Sequence, residues 1–299
     1  MNHKLILTLI VFVLCGSVFG QDVKLRIGGN YGKFNKEIGP KEVNHPLVDA
    51  LSNPNHTDFT SNFEPDFEAE VMLLWSQNIE TGIELELSKF SGFNDVPPYY
   101  NYIFSNDFPD INHVTTAPIS YKSSATSLIA NFRYYFVPKG NVNPFFKVFG
   151  GLAFVGAELN YRDKSVWDQA WDKGTVGVLY AIGTKNSSKP KEVALHYGGG
   201  AGINFKVSDQ FSIYVDGTAS VINSDKIDGI PNYDYSNKNG QETLKPVGNK
   251  SFITQFSLGL VYSTGTNLGL NKNWGKHNKG SKIKHSGRTL PWRPFYRQK

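Results

Sequence analysis

The feature that most constrains this chain is a two-residue alternation of apolar and polar side chains that recurs along most of its length. Val23, Leu25, Ile27 and Tyr31 alternate with Lys24, Arg26 and Asn30, and Phe67, Ala69, Val71, Leu73 and Trp75 with Glu68, Glu70 and Ser76. Ile83, Leu85 and Leu87 alternate with Glu84, Glu86 and Ser88, and Leu128, Ala130, Phe132, Tyr134 and Phe136 with Ser127, Asn131, Arg133 and Tyr135. A helix would scatter these charges around its circumference, whereas a strand gathers them on one face. Segments 193–205, 211–221 and 252–262 repeat the pattern, and 144–161 is apolar at both parities around Gly150-Gly151, which leaves its register open. Eight strands are predicted, most of them near the ~9–11 residues that cross a bilayer at a tilt.

The connections are ordered as well. Short links fall at 77–81, 138–143 and 208–210, and long ones at 32–65, 91–123, 162–192 and 223–250. Strict alternation of long and short puts every long loop at one end of an antiparallel meander. A membrane barrel is built that way, with short turns on one side and long loops on the other, whereas a soluble sandwich has no need of it. The predicted architecture is therefore all-β: a single antiparallel, up-and-down transmembrane barrel over residues 21–262. In such a barrel the apolar rows face lipid, and the charged rows fill the lumen. Lys24, Arg26, Glu68, Glu70, Glu84, Glu86, Arg133, Glu158, His196 and Asp216 are the residues expected there. Eight strands leave an interior just wide enough for side chains, so these charges should pair and plug the barrel. The competing architecture is a secreted β-sandwich, in which the charged rows would be the solvated ones.

Composition agrees with strands rather than helices. Aromatics reach 14% of 299 residues, Gly occurs 29 times and Met twice. Mean hydropathy is −0.34, and no long apolar run follows the N-terminal segment, which excludes a membrane protein of several helices. The run Leu5 to Leu14, preceded by Lys4 and followed by Val18-Phe19-Gly20, predicts a secretory signal peptide over 1–20. Cys15 is the only cysteine. Lipidation there is disfavoured by the bulk of Leu14 before it. The exported chain would then hold no cysteine, which excludes disulfides, thiolate catalysis and cysteine–zinc sites.

Several short motifs resemble those of a known family. Asn143-Pro144-Phe145-Phe146 leads into Phe149-Gly150-Gly151-Leu152, Gly198-Gly199-Gly200-Ala201-Gly202-Ile203 precedes Ser208-Asp209-Gln210-Phe211-Ser212, and Asp225-Lys226-Ile227-Asp228-Gly229-Ile230 follows the seventh strand. Together they resemble the small eight-stranded outer-membrane barrels of the OmpA/OmpX type, and in particular barrel proteins common in Bacteroidota. The resemblance implies a fold and an outer-membrane location, with loops outside and both termini in the periplasm. It does not imply an activity.

Chemistry-bearing residues are few. His45, His56 and His113 lie in long loops among polar residues, and His196 is the one histidine on a lumen row. A catalytic reading of His196 lacks a serine at motif spacing, and a hydrogen-bonding role in the lumen fits better. No metal-ligand spacing appears, and no cofactor motif: the glycines at 198–202 lack the Lys-Ser/Thr of a phosphate loop and lie in a strand pattern. Trp167 and Trp171, four apart, would share one face of a helical turn, as a ledge for a partner or as packing against the barrel rim.

The net charge of +5 has two opposed sources. Residues 263–299 carry nine Lys/Arg and no acid, leaving 22 basic and 26 acidic residues before them. A nucleic-acid reading would rest on that tail alone and is not adopted. The tail has no apolar periodicity and is expected to be disordered in the periplasm. Lys282, Lys284, Arg288, Trp292, Arg293, Phe295, Tyr296 and Arg297 are the candidates for docking a periplasmic protein, the cell wall or anionic lipid. The sequence thus predicts a non-enzymatic envelope barrel in contact with outer-membrane lipid, its tail bound to a partner, as in a secretion or assembly complex. A narrow porin-like channel and a lipid-modifying enzyme are the alternatives.

Overall fold

The computed structural model describes residues 22–38, 57–97, 117–163, 177–230, 233–238, 240–246 and 248–264. The signal segment 1–20, Trp167 and Trp171, His45, His56 and His113, and the tail residues beyond 264 lie outside the described residues.

Eight long strands form the body: β1 (Asp22–Ile38), β3 (Glu64–Leu74), β4 (Ile79–Asn94), β5 (Ile119–Tyr135), β6 (Val142–Tyr161), β8 (Glu192–Lys206), β9 (Phe211–Ile222) and β12 (Lys250–Ser263). Each is antiparallel to the next in the chain, and β1 pairs with β12, so the sheet closes on itself. Closure leaves no unpaired strand edge around the ring, which is what allows a sheet to stand in hydrocarbon. Four shorter strands lie in the long connections: β2 (Thr60–Ser61), β7 (Val178–Ile182) and the hairpin β10 (Tyr233–Lys238) with β11 (Gln241–Pro246). β2 pairs with β4 above the point where β3 leaves it, and β7 pairs with β6 beyond the end of β8. The wall is thereby extended upward at the long-loop end.

The polarity of the barrel is inverted relative to a soluble sheet. On β12 the outward row reads Tyr262, Leu260, Leu258, Phe256, Thr254 and Phe252, with Leu258 59% exposed. Inward from the same strand point Ser251, Gln255 and Ser257, all buried. On β5 the outward Leu128 and Phe132 are exposed, while Ser127, Asn131 and Arg133 are buried. An exposed apolar surface of this extent is unstable in water and stable in lipid. At the short-turn end the outward face becomes aromatic, with Trp75, Phe136, Phe205, Phe211 and Tyr262 exposed and Tyr134 stacked on Phe146. The fold is thus a transmembrane β-barrel, and the sandwich alternative is excluded by the closed ring.

The interior has two layers. Toward the short turns it is polar and charged. Toward the long loops it is apolar, with Phe34, Phe90, Tyr121, Ala153, Val155, Ala157, Leu159, Ile222 and Ile253 packed together. Ile227 and Ile230, from the segment after β9, and Leu179 and Tyr180, from β7, join this cluster and cover its top. Gly229, at φ +79°, makes the turn that sets both isoleucines down against the wall. Ser224 and Lys226 bond to Glu192 at the start of β8 and pin the segment.

Candidate functional site

The charged interior is assembled from alternate residues of neighbouring strands, and cross-strand register decides who meets whom. Arg26 of β1 stands opposite Glu70 of β3, and Glu70 opposite Glu84 of β4. A guanidinium is long enough to choose diagonal partners instead. Arg26 bonds Glu68 through Nε at 3.2 Å and Asp216 through Nη2, with its plane 3.4 Å over the Tyr214 ring. Arg133 reaches across to Glu70 with both terminal nitrogens, at 2.7 and 2.6 Å, and lies 3.9 Å from Glu84. This fork is the strong form of an ion pair, and it fixes the orientation of both side chains.

Lys24, half-buried near the lower rim, bonds Glu80, which also accepts from the Tyr135 hydroxyl at 2.8 Å. Lys147 adds a fourth cation 3.6 Å from Asp216. Seven carboxyl side chains (Asp66, Glu68, Glu70, Glu80, Glu84, Glu86 and Asp216) face these four cations in the interior. The surplus acids are met by neutral donors. Asn131 donates to Glu70 and Glu84, Gln255 and Ser88 to Glu86, and Asn30 and Tyr214 to Glu68. The Tyr214 hydroxyl fits only because Gly28 and Gly259 bear no side chain: a Cβ on either would collide with it.

Of the ten residues expected in the lumen, nine point inward. Glu158 does not. Along β6 the inward row is Asn143, Phe145, Lys147, Ala153, Val155, Ala157 and Leu159, so the even-numbered Glu158 takes the outer face, where Asn186 donates to it at 2.7 Å. The expectation failed because both rows of β6 are apolar in sequence: its upper half packs against the apolar interior layer. Sequence reading also missed Asp66, Glu80 and Lys147. Asp66 and Glu80 share the parity of Glu68 and Glu84, so extending the alternation by one or two steps finds them, whereas Lys147 lies on β6, whose register the sequence leaves open.

His196 points into the lumen, where it meets serines rather than carboxylates. Its Nδ1 lies 3.0 Å from Ser127 Oγ, its Nε2 3.0 Å from Ser220 Oγ, and the Phe149 ring meets it edge-on. Both ring nitrogens are thus occupied by serines, with no carboxylate on either to orient the ring as a general base. All three side chains are buried. Among the described residues no group of three or more His, Cys, Asp or Glu side chains is placed to hold a metal ion. What this arrangement can do is brace: it joins all eight wall strands through side-chain hydrogen bonds and ion pairs across the lumen.

These features define a class, the small closed outer-membrane-type barrel with a filled polar interior. No protein-family profile matches the chain, and no curated protein matches it. Solved structures do match in outline. Neisserial surface protein A aligns over 80% of this chain and 96% of its own, at 8% identity and TM-score 0.37. The outer-membrane protease OmpT from Escherichia coli aligns over 81% and 96%, at 11% identity and TM-score 0.40. OprG from Pseudomonas aeruginosa aligns over 81% and 95%, at 13% identity and TM-score 0.33.

Proposed function

We propose that this chain is a non-enzymatic outer-membrane barrel with a structural or accessory role in the cell envelope. In this reading its long loops face outside, and its basic tail docks a periplasmic partner such as a secretion or assembly complex. The observation that carries the reading is the inverted polarity: exposed apolar rows outside, paired charges inside. The filled interior favours an anchoring role over a channel, since Arg26 and Arg133 stand across the lumen and the apolar layer lies above them. The motifs at 143–152, 198–212 and 225–230 support a place among the barrel proteins of Bacteroidota. The excess of cations at 263–299, ending in Trp292, Arg293, Phe295, Tyr296 and Arg297, supports docking by a short linear segment on an acidic surface.

The test is made on membrane fractions and in detergent. The full chain should run faster unboiled than boiled and resist carbonate extraction, and deleting 263–299 should keep that shift while losing the proteins captured with the full chain. A soluble protein without a shift overturns the membrane reading. A tail-less chain that captures every partner overturns the docking role.

A further inference from the structure

The outward face carries charge at one end only. Climbing β4 from its short turn, the outward side chains are Ile79, Thr81, Ile83, Leu85 and Leu87, and then Lys89. On β5 they are Tyr134, Phe132, Ala130, Leu128, Thr126 and Ser124, and then Lys122. On β12 the apolar row ends at Lys250, and on β1 the row Leu25, Ile27, Gly29, Tyr31 is followed by Lys33. A bulge between Phe34 and Lys36 resets the parity there, so that Lys36 also points outward opposite Phe252. At a rise of about 3.3 Å per residue and a tilt near 40°, the ten steps from Ile79 to Lys89 climb about 25 Å, the height of an apolar membrane band. The five lysines therefore stand at the upper edge of that band.

We propose that Lys33, Lys36, Lys89, Lys122 and Lys250 form a collar that binds the phosphate groups of lipids in the outer leaflet. The inference rests on the outer-membrane reading above and adds a ligand to it. Three observations carry it. First, the lysines come in close sets: Lys36 and Lys250 are diagonal neighbours across β1 and β12, as are Lys89 and Lys122 across β4 and β5. Diagonal positions lie about 7–8 Å apart, so like charges repel there unless an anion sits between them. Among the described residues none of the five makes an ion pair, although Lys122 stands opposite the outward Glu158, and Lys33 lies 5.5 Å over the exposed Phe63 ring. Second, the lysines are concentrated on one side. Within β8 and β9 the outward rows are Val193, Leu195, Tyr197, Ile203 and Phe205, and Phe211, Ile213, Val215 and Val221, with one exposed cation, Lys191, just above β8, and the outward Glu158 on β6 stands opposite Lys122. Third, the short-turn end has aromatic residues at the equivalent level, so the lysines are not a general border between protein and water.

A lysine at this depth can lay its stem along the apolar surface and raise its ammonium into the headgroup layer. Each such cation adds to the attraction of an anionic headgroup, and the sum is lost as salt rises.

The experiment uses the full chain in detergent micelles and native mass spectrometry, with bis-phosphorylated lipid A and its dephosphorylated form as probes. The wild type should bind the phosphorylated form at least about tenfold more tightly. Replacing all five lysines by glutamine should abolish that preference, whereas Lys139→Gln with Lys206→Gln, at the short-turn end, should keep it. Equal binding of the two lipids by the wild type overturns the collar, as does a preference that survives the five replacements. Equal occupancy by inorganic pyrophosphate overturns the assignment to lipid. The heat-dependent gel shift is followed in parallel: its persistence confines a failure to the collar, and its absence in the wild type overturns the membrane reading and the collar together.

Discussion

Arg133 is fully buried and held in a fork by Glu70, so its contribution to stability depends on its partner. Removing the guanidinium alone leaves Glu70 charged among low-dielectric surroundings, while removing both charges leaves only packing to repair. Arg133→Ala is therefore expected to lower the unfolding free energy by about 3–5 kcal/mol in urea titrations of the protein in lipid vesicles. The double replacement Arg133→Met with Glu70→Met is expected to cost clearly less. Equal losses in the two variants would show that the pair does not act as a unit. The neutral donors around it matter in the same way, because Asn131 supplies both Glu70 and Glu84 from a single amide nitrogen.

Among the elements, the segment after β9 has a titration of its own. Burial raises the Asp228 carboxyl above the ordinary aspartate range although part of the side chain stays accessible, and Glu37 and Asp225 nearby raise it further. The backbone N–H of Ile230, which donates to Asp228 at 2.9 Å, only partly offsets this. A raised acid binds its proton more tightly folded than unfolded. The packing of 223–230 is thus firmest below the unfolded value and weakens as pH rises through the folded one. The exchange protection of that segment, relative to the intrinsic amide rate at each pH, should fall between acid and neutral pH, and Asp228→Asn should remove the dependence. A flat profile in the unaltered chain would count against it.

Sequence alone made the alternating elements legible wherever one face is polar. β1, β3, β4, β5, β9 and β12 were readable because Arg26, Glu68, Glu84, Arg133, Asp216 and Gln255 mark their inner rows. β6 was not, because Val155, Ala157 and Leu159 pack into the apolar interior layer while Phe146, Val148 and Phe154 face out. Two apolar faces carry no parity signal, and Glu158 was misassigned for that reason. The short strands β2, β7, β10 and β11 were missed since their pairing depends on where the wall strands end, which local pattern does not encode.

At the scale of the whole molecule, the outward rows fix a depth in the bilayer. Leu258 lies midway along β12, and Ser124 lies near the upper end of the outward row of β5. Leu258→Arg is expected to cost about 2–4 kcal/mol of stability in vesicles and Ser124→Arg about 0–1 kcal/mol, because the penalty for charge fades toward the interface. Equal costs would mean that the membrane does not sit where the aromatic rim and the lysines place it.

The ring closes through β1 and β12, whose paired residues Lys24 and Ser263 lie at opposite ends of the described chain. Until the last strand is available, the other wall strands have no means of satisfying both lateral edges, and hydrocarbon will not accept an open one. Folding must then wait for a contact of nearly maximal sequence separation, the slowest kind to form. The unclosed chain leaves its Phe and Leu rows uncovered wherever it meets water. Before insertion the chain therefore has to be kept apart from other chains, a need set by a single pair of strands.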